Sequence, residues 1–257
     1  MKPITELTSK DIKEIRLISF DCDGVTVKRG TEIEERGNEL KVKTYTLSDS
    51  LLKKMLLLKK RFHLNFSSGR SLLYLDRMFG KVLWEKASLQ GEIGIFTLIN
   101  GEIIQHQQFS LERLQQINNI KVDIRDLMKV NKDIRGFEPK QFLITVHCWR
   151  EVPEIEKILR RHDPKNEYYL LWNGEAYDIG LKTTNKGTGL RYLANLLKLE
   201  MKQTLAIGDG PNDREMIEYA GIGVTTNPER IKGDFYTTGK LHLGGEELVD
   251  KLLELIE

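Results

Sequence analysis

Only two cysteines, Cys22 and Cys148, occur in 257 residues, far apart and without a CxxC spacing. That excludes a disulfide-stapled fold, a zinc site of paired cysteines and CxxC redox chemistry. A reducing, cytoplasmic setting is the expectation that follows. No apolar stretch approaches the ~20 residues that span a bilayer, and Met1 to Ser9 lacks the apolar region of a signal peptide. A soluble intracellular protein with no membrane partner is therefore expected. An excess of one charge is missing too: 40 basic residues face 38 acidic ones, a net charge of +2. There is thus no global electrostatic case for a nucleic-acid partner. The short basic runs, Lys59-Lys60-Arg61 and Arg160-Arg161, end amphipathic segments, where they complement helix C-termini. What is present is 40% hydrophobic and 30% charged residues, enough for a large core domain with or without a smaller companion.

The stretch that organises the chain is Ile15-Arg-Leu-Ile-Ser-Phe-Asp-Cys-Asp-Gly24. Its apolar run reads as a short buried strand that ends in two carboxylates, Asp21 and Asp23, followed by glycine. The C-terminal end of a parallel strand is where an open α/β sheet places its ligand. Two acids there offer hard oxygens that suit Mg²⁺, and one of them can attack phosphorus to form an aspartyl-phosphate. Taken alone, Asp-x-Asp-Gly is equally an ordinary strand-to-turn junction.

Further along, alternation about Gly37-Asn38 predicts a hairpin over about 25–46 that could serve as a flap. Ser48-Asp-Ser caps a helix with a leucine and methionine stripe of core type. Phe62 to Phe66 reads as a strand that passes through Ser67-Ser68-Gly69-Arg70 into a helix near Leu72. A hydroxyl and free N–H groups at such a junction can hold an anion, although the same residues serve as a simple cap. From about 93 to 180 the texture becomes mostly antiparallel: a hairpin through Asn100-Gly101, a helix from Ser110 to about Lys129, a strand over 142–149, a helix from Pro153 and a hairpin over 168–179. This segment is the expected lid.

Two more signals follow. Lys186 stands at the first turn of a helix, where a lysine can reach a phosphate as a movable point charge; alone, it is more often a solvated side chain. Gly187-x-Gly189 matches neither a P-loop nor a dinucleotide fingerprint. The strand Gln203 to Ile207 then runs into Gly208-Asp209-Gly210-Pro211-Asn212-Asp213, a second acidic strand end, before a closing amphipathic helix over 246–257.

Asp-x-Asp-Gly, the Ser-Gly turn, the helix-start lysine and Gly-Asp-Gly-x-Asn-Asp, in that order, resemble the haloacid dehalogenase superfamily of phosphohydrolases. The resemblance covers roughly residues 15–92 and 177–257. It implies a Rossmann-like three-layer α/β core with a parallel sheet (1–92 and 181–257) and an inserted C2-type α+β cap (93–180). It also implies Mg²⁺ as cofactor and a small phosphorylated metabolite as substrate. Under it Asp21 is the nucleophile and a metal ligand, and Asp23 is the general acid and base with its carbonyl on the metal. Ser68, Gly69, Lys186 and Asn212 hold the phosphoryl group, while Asp209 and Asp213 complete the metal shell.

One position departs from the family pattern: the usual Asp-Gly-Thr is Asp23-Gly24-Val25 here, with Thr26 one place late. Residues 17–71, including Gly37-x-Glu-x-Lys41, are closest to capless phosphatases similar to 3-deoxy-manno-octulosonate 8-phosphate phosphatase. The insertion resembles instead the cap of sugar-phosphate and archaeal-type phosphoglycolate phosphatases. The two point to different substrates. Within the cap, Trp149, Arg150, Trp172 and Asn173 are specificity candidates, each of them equally readable as packing or surface, and His147 reads as structural. A phosphomutase on the same machinery and a non-catalytic module retaining the fold are the alternatives.

Overall fold

The computed structural model describes residues 1–239 and 242–256, with His242 and Leu243 described by backbone only. Glu257, expected at the end of the closing helix, lies outside the described residues. The chain divides into two units, residues 1–30, 45–106 and 185–257 in one, and 31–44 and 107–184 in the other.

The first unit is an α/β core built on a nine-stranded sheet. In spatial order its strands are Lys2–Pro3, Phe235–Tyr236, Ile222–Thr225, Thr204–Gly208, Leu17–Asp21, His63–Ser67, Ala87–Gly91, Phe96–Ile99 and Glu102–Gln105. The first seven run parallel and the last two antiparallel. Every residue of Leu17–Asp21, Thr204–Gly208 and Ala87–Gly91 is buried, as expected of parallel strands covered on both faces. Helices form where the caps lie: Ser48 accepts the Leu51 N–H to open Asp49–Leu58, and Asn185 forms a capping box with Thr188 before Lys186–Leu196.

The hairpin through Asn100-Gly101, expected in the cap, belongs to this sheet. Phe96–Ile99 pairs antiparallel with Ala87–Gly91, and Gln90 donates to Thr97 Oγ1 at 3.0 Å. The first boundary therefore falls at 106–107 rather than at 93, and the second at 184–185 rather than at 180–181. Antiparallel texture had marked the change of domain, yet an antiparallel edge on a parallel sheet is common.

Gly187 and Gly189 also acquire a purpose that motif matching missed. A Cβ on Gly189 would stand 2.7 Å from the Gly94 Cα, and one on Gly187 would stand 2.6 Å from the Glu215 carbonyl carbon. These contacts seat the helix that carries Lys186.

The second unit holds a four-stranded antiparallel sheet, ordered Tyr168–Trp172, Ala176–Leu181, Ile144–Cys148 and Ile134–Phe137, with helices Leu111–Val130 and Pro153–His162. The strand Ile134–Phe137 was not expected, because Arg135 and Gly136 break its apolar alternation. The hairpin Glu32–Arg36 and Glu39–Lys43 groups with this unit and not with the core. Glu35 fastens it, accepting the Phe137 N–H at 3.0 Å and pairing with Arg125 at 3.3 Å.

The core carries a polar ladder across its strands. Asn65 donates to Ser19 and Gln90 and accepts from Ser88, and His63 bonds Ser88 at 2.9 Å. His106 bonds Thr97 and lies against the Tyr192 ring. Burial pushes both histidines down, His63 and His106 each to about 4. Both are therefore neutral when folded, while the unfolded chain takes up protons near its ordinary value of about 6.5. Stability from this source is full above about pH 6.5 and is lost as pH falls towards 4. Denaturant unfolding at a series of pH values should show that decline, with a shallower slope in the double variant His63→Gln, His106→Gln.

Candidate active site

The strand Leu17–Asp21 lies between Thr204–Gly208 and His63–Ser67. The chain leaves it towards one side of the sheet and returns on the other. This is a topological switch point, the place where such sheets bind ligands. Asp21 closes the central strand in register with Ser67, and Asp209 follows the neighbouring strand.

The structure brings Asp21, Asp209 and Asp213 together: one carboxylate oxygen of each lies within 4.8 Å of the others, and all three residues are buried. The Lys186 Nζ donates to Asp21 Oδ1 and, at 2.5 Å, to Asp213 Oδ1. The Lys186 side chain is 1% exposed, so the solvated alternative does not hold. Asp213 is fixed further by the Asp209 and Gly210 N–H groups at 3.1 and 3.0 Å.

Electrostatics follow from burial. Burial, reinforced by Asp213, pushes the Asp21 carboxyl well above the usual carboxylate range, and burial raises Asp209 as well. Burial alone would lower the Lys186 ammonium, but Asp21 and Asp213 outweigh it and hold Lys186 above an ordinary lysine. Hard oxygens from three buried carboxylates are the donor set that Mg²⁺ prefers, so the residues present fit that ion.

Asp23 stands outside this carboxylate cluster. Its side chain is held bidentately by Arg70, at 2.7 and 2.6 Å, a planar pairing that fixes orientation. In the sequence Arg70 is only the last residue of the Ser-Gly turn, and nothing in its spacing discloses this role. Ser68 is buried directly after the His63–Ser67 strand, and its Oγ accepts the Arg70 N–H at 3.2 Å. Gly69 sits in the bend between them. Asn212 is exposed on the turn Pro211–Asp213. The late Thr26 bonds the carbonyls of Asp21 and Cys22, at 3.2 and 3.1 Å, while Val25 is buried in the core. The departure from Asp-Gly-Thr thus has a local role in holding the turn.

In the second unit the four specificity candidates are occupied locally. Trp149 is exposed beneath the Arg135 guanidinium, Arg150 pairs with Asp133, Trp172 lies against Tyr177, and Asn173 accepts two N–H groups of its own turn. A buried polar cluster was missed. Lys140 pairs with Glu138 at 2.6 Å, His147 bonds Glu138 at 3.1 Å, and Thr145 donates to Asp178. Alternation places Thr145, His147 and Asp178 on one face of the sheet, with Ile144, Val146 and Ile179 on the other.

The chain matches the family model of the haloacid dehalogenase-like hydrolases over residues 115–227. Over 181 residues it is 29% identical to a phosphoglycolate phosphatase of Methanopyrus kandleri, a match covering 66% of this chain and 77% of that protein. Over 82 residues it is 42% identical to a phosphoglycolate phosphatase of Methanosarcina acetivorans, covering 30% of this chain and 36% of that protein. Among solved structures, a trehalose-6-phosphate phosphatase related protein superposes with a TM-score of 0.67 at 16% identity, over 93% of this chain and 99% of that one. A phosphatase of the haloalkanoate (HAD) enzyme superfamily from Bacteroides thetaiotaomicron gives 0.63 at 15% identity, over 94% of this chain and 95% of that one.

Lys186→Met removes the one buried ammonium between Asp21 and Asp213 and leaves their charge unpaired. Urea unfolding at neutral pH should show a loss of about 3 kcal/mol. That loss should shrink as the pH falls, because protonating the already raised Asp21 removes the unpaired charge.

Proposed function

We propose that the chain is a Mg²⁺-dependent phosphatase that hydrolyses a small phosphate monoester through an aspartyl-phosphate on Asp21. The observation that carries this reading is the buried Asp21, Asp209 and Asp213 cluster, bridged by Lys186 at the ends of parallel strands. Asp21 attacks phosphorus in line, and Asp23, oriented by Arg70, gives its proton to the departing alcohol. Water then attacks the same phosphorus, Asp23 takes its proton, and inorganic phosphate leaves with Asp21 restored. Ser68, the Gly69 N–H, Lys186 and Asn212 hold the phosphoryl oxygens. Asp21, Asp209, Asp213 and the Asp23 carbonyl would hold the metal, which supplies charge neutralisation between a dianionic substrate and an anionic nucleophile.

The substrate belongs among sugar phosphates, phosphoglycolate and sugar-acid phosphates. The names of the relatives, phosphoglycolate phosphatase and trehalose-6-phosphate phosphatase related protein, fall within that range. The second unit acts as the cap in this reading. Two free buried cysteines accord with a cytoplasmic setting, and no described helix is long and apolar enough to cross a membrane.

Phosphate release from a panel of these monoesters, with Mg²⁺ and with a chelator, tests the reading. Wild type should release phosphate only with the cation. Asp21→Asn should lose at least about a thousandfold in kcat while its unfolding is unchanged. Activity retained in Asp21→Asn would remove the proposed nucleophile, and a positional isomer in place of free phosphate would make the enzyme a mutase.

A further inference from the structure

Arg29 has no place in the chemistry above, yet it is the nearest cation to one of the acids that chemistry needs. Its Nη2 donates to Asp209 Oδ2 at 2.5 Å. The aspartate is enclosed, with its side chain 4% exposed, whereas the arginine side chain is 43% exposed. The arginine therefore reaches in from the rim to a buried carboxylate.

The local backbone is shaped for this pair. The Gly24 N–H donates to the Val27 carbonyl at 2.8 Å, and the Cys22 carbonyl accepts the Thr26 and Val27 N–H groups at 3.0 Å each. This tight turn returns the chain towards the strand end and brings Arg29 over Gly24. Gly24 has φ +89, and a Cβ there would lie 2.5 Å from Asp209 Oδ2 and 2.7 Å from Arg29 Nε. The missing side chain is the notch that the ion pair fills. Glycine is thus required here for two reasons, a left-handed backbone and the room for this contact.

We propose that Arg29 is a built-in competitor for the metal site: it holds Asp209 Oδ2, and a divalent cation that coordinates Asp209 binds against its positive charge. The inference rests on the reading of Asp21, Asp209 and Asp213 as metal ligands. A cation that coordinates Asp209, through Oδ1 or by taking Oδ2, shares the carboxylate with Arg29 and must approach a positive charge to do so. The competitor weakens all divalent ions alike, whatever their intrinsic order of affinity. Every ion then needs a higher free concentration to load, and the preference among ions is unchanged.

The test is calorimetric titration of Mg²⁺, and separately Mn²⁺, into chelator-stripped full-length protein with no substrate present. Arg29→Met should bind both ions at least about tenfold more tightly than wild type, with a far-ultraviolet spectrum unchanged. Arg29→Lys, a point charge without the planar fork, should lie between the two and serves if the methionine variant folds poorly. Affinities equal to or weaker than wild type in the folded variants would overturn the competitor role and leave the metal site standing. A wild-type chain and variants that all bind neither ion would overturn the metal site and the competitor together.

Discussion

The structure of the core depends on one buried ammonium shared by two buried carboxylates. Asp21 ends the central strand, Asp213 opens a helix after the next strand, and Lys186 reaches both from a third element. Bringing two carboxylates together away from water is costly unless a cation lies between them. Much of the surrounding architecture serves to put that cation there. The Asn185 capping box starts the lysine helix, and the glycine contacts of Gly187 and Gly189 let the helix sit close enough.

The same arrangement explains why the site is poised rather than merely stable. Asp21 is pushed towards its neutral form by burial and by Asp213, so this carboxylate, the proposed nucleophile, gains from any further positive charge. A cation bound to the oxygens of Asp21, Asp209 and Asp213 would relieve that strain and prepare Asp21 to attack. Arg70 and Arg29 hold the two remaining acids, Asp23 and Asp209. Of the four acids, one pair is bridged by lysine and the others are each held by their own arginine.

The residues of the buried cluster were legible as candidates because they sit where a strand stops. Asp21 and Asp209 each follow an apolar run, and Lys186 follows an asparagine cap, so local pattern and chain order sufficed. The domain boundary was not legible: the strands Phe96–Ile99 and Glu102–Gln105 look like cap strands and join the core sheet through the buried Gln90–Thr97 contact. The two arginines were not legible for a related reason. Arg29 and Arg70 meet acids 180 and 47 residues away, and no local period encodes such pairings. The Glu35 anchor, which groups the hairpin with the second unit, is long-range in the same way.

The most direct test is to find where phosphorus goes. Full-length protein mixed with Mg²⁺ and acetyl phosphate, quenched rapidly in acid and digested, should give a phosphorylated peptide whose modified residue is Asp21. An unmodified Asp21 in a preparation that releases phosphate, or a phosphoryl group on any other residue, would contradict the account.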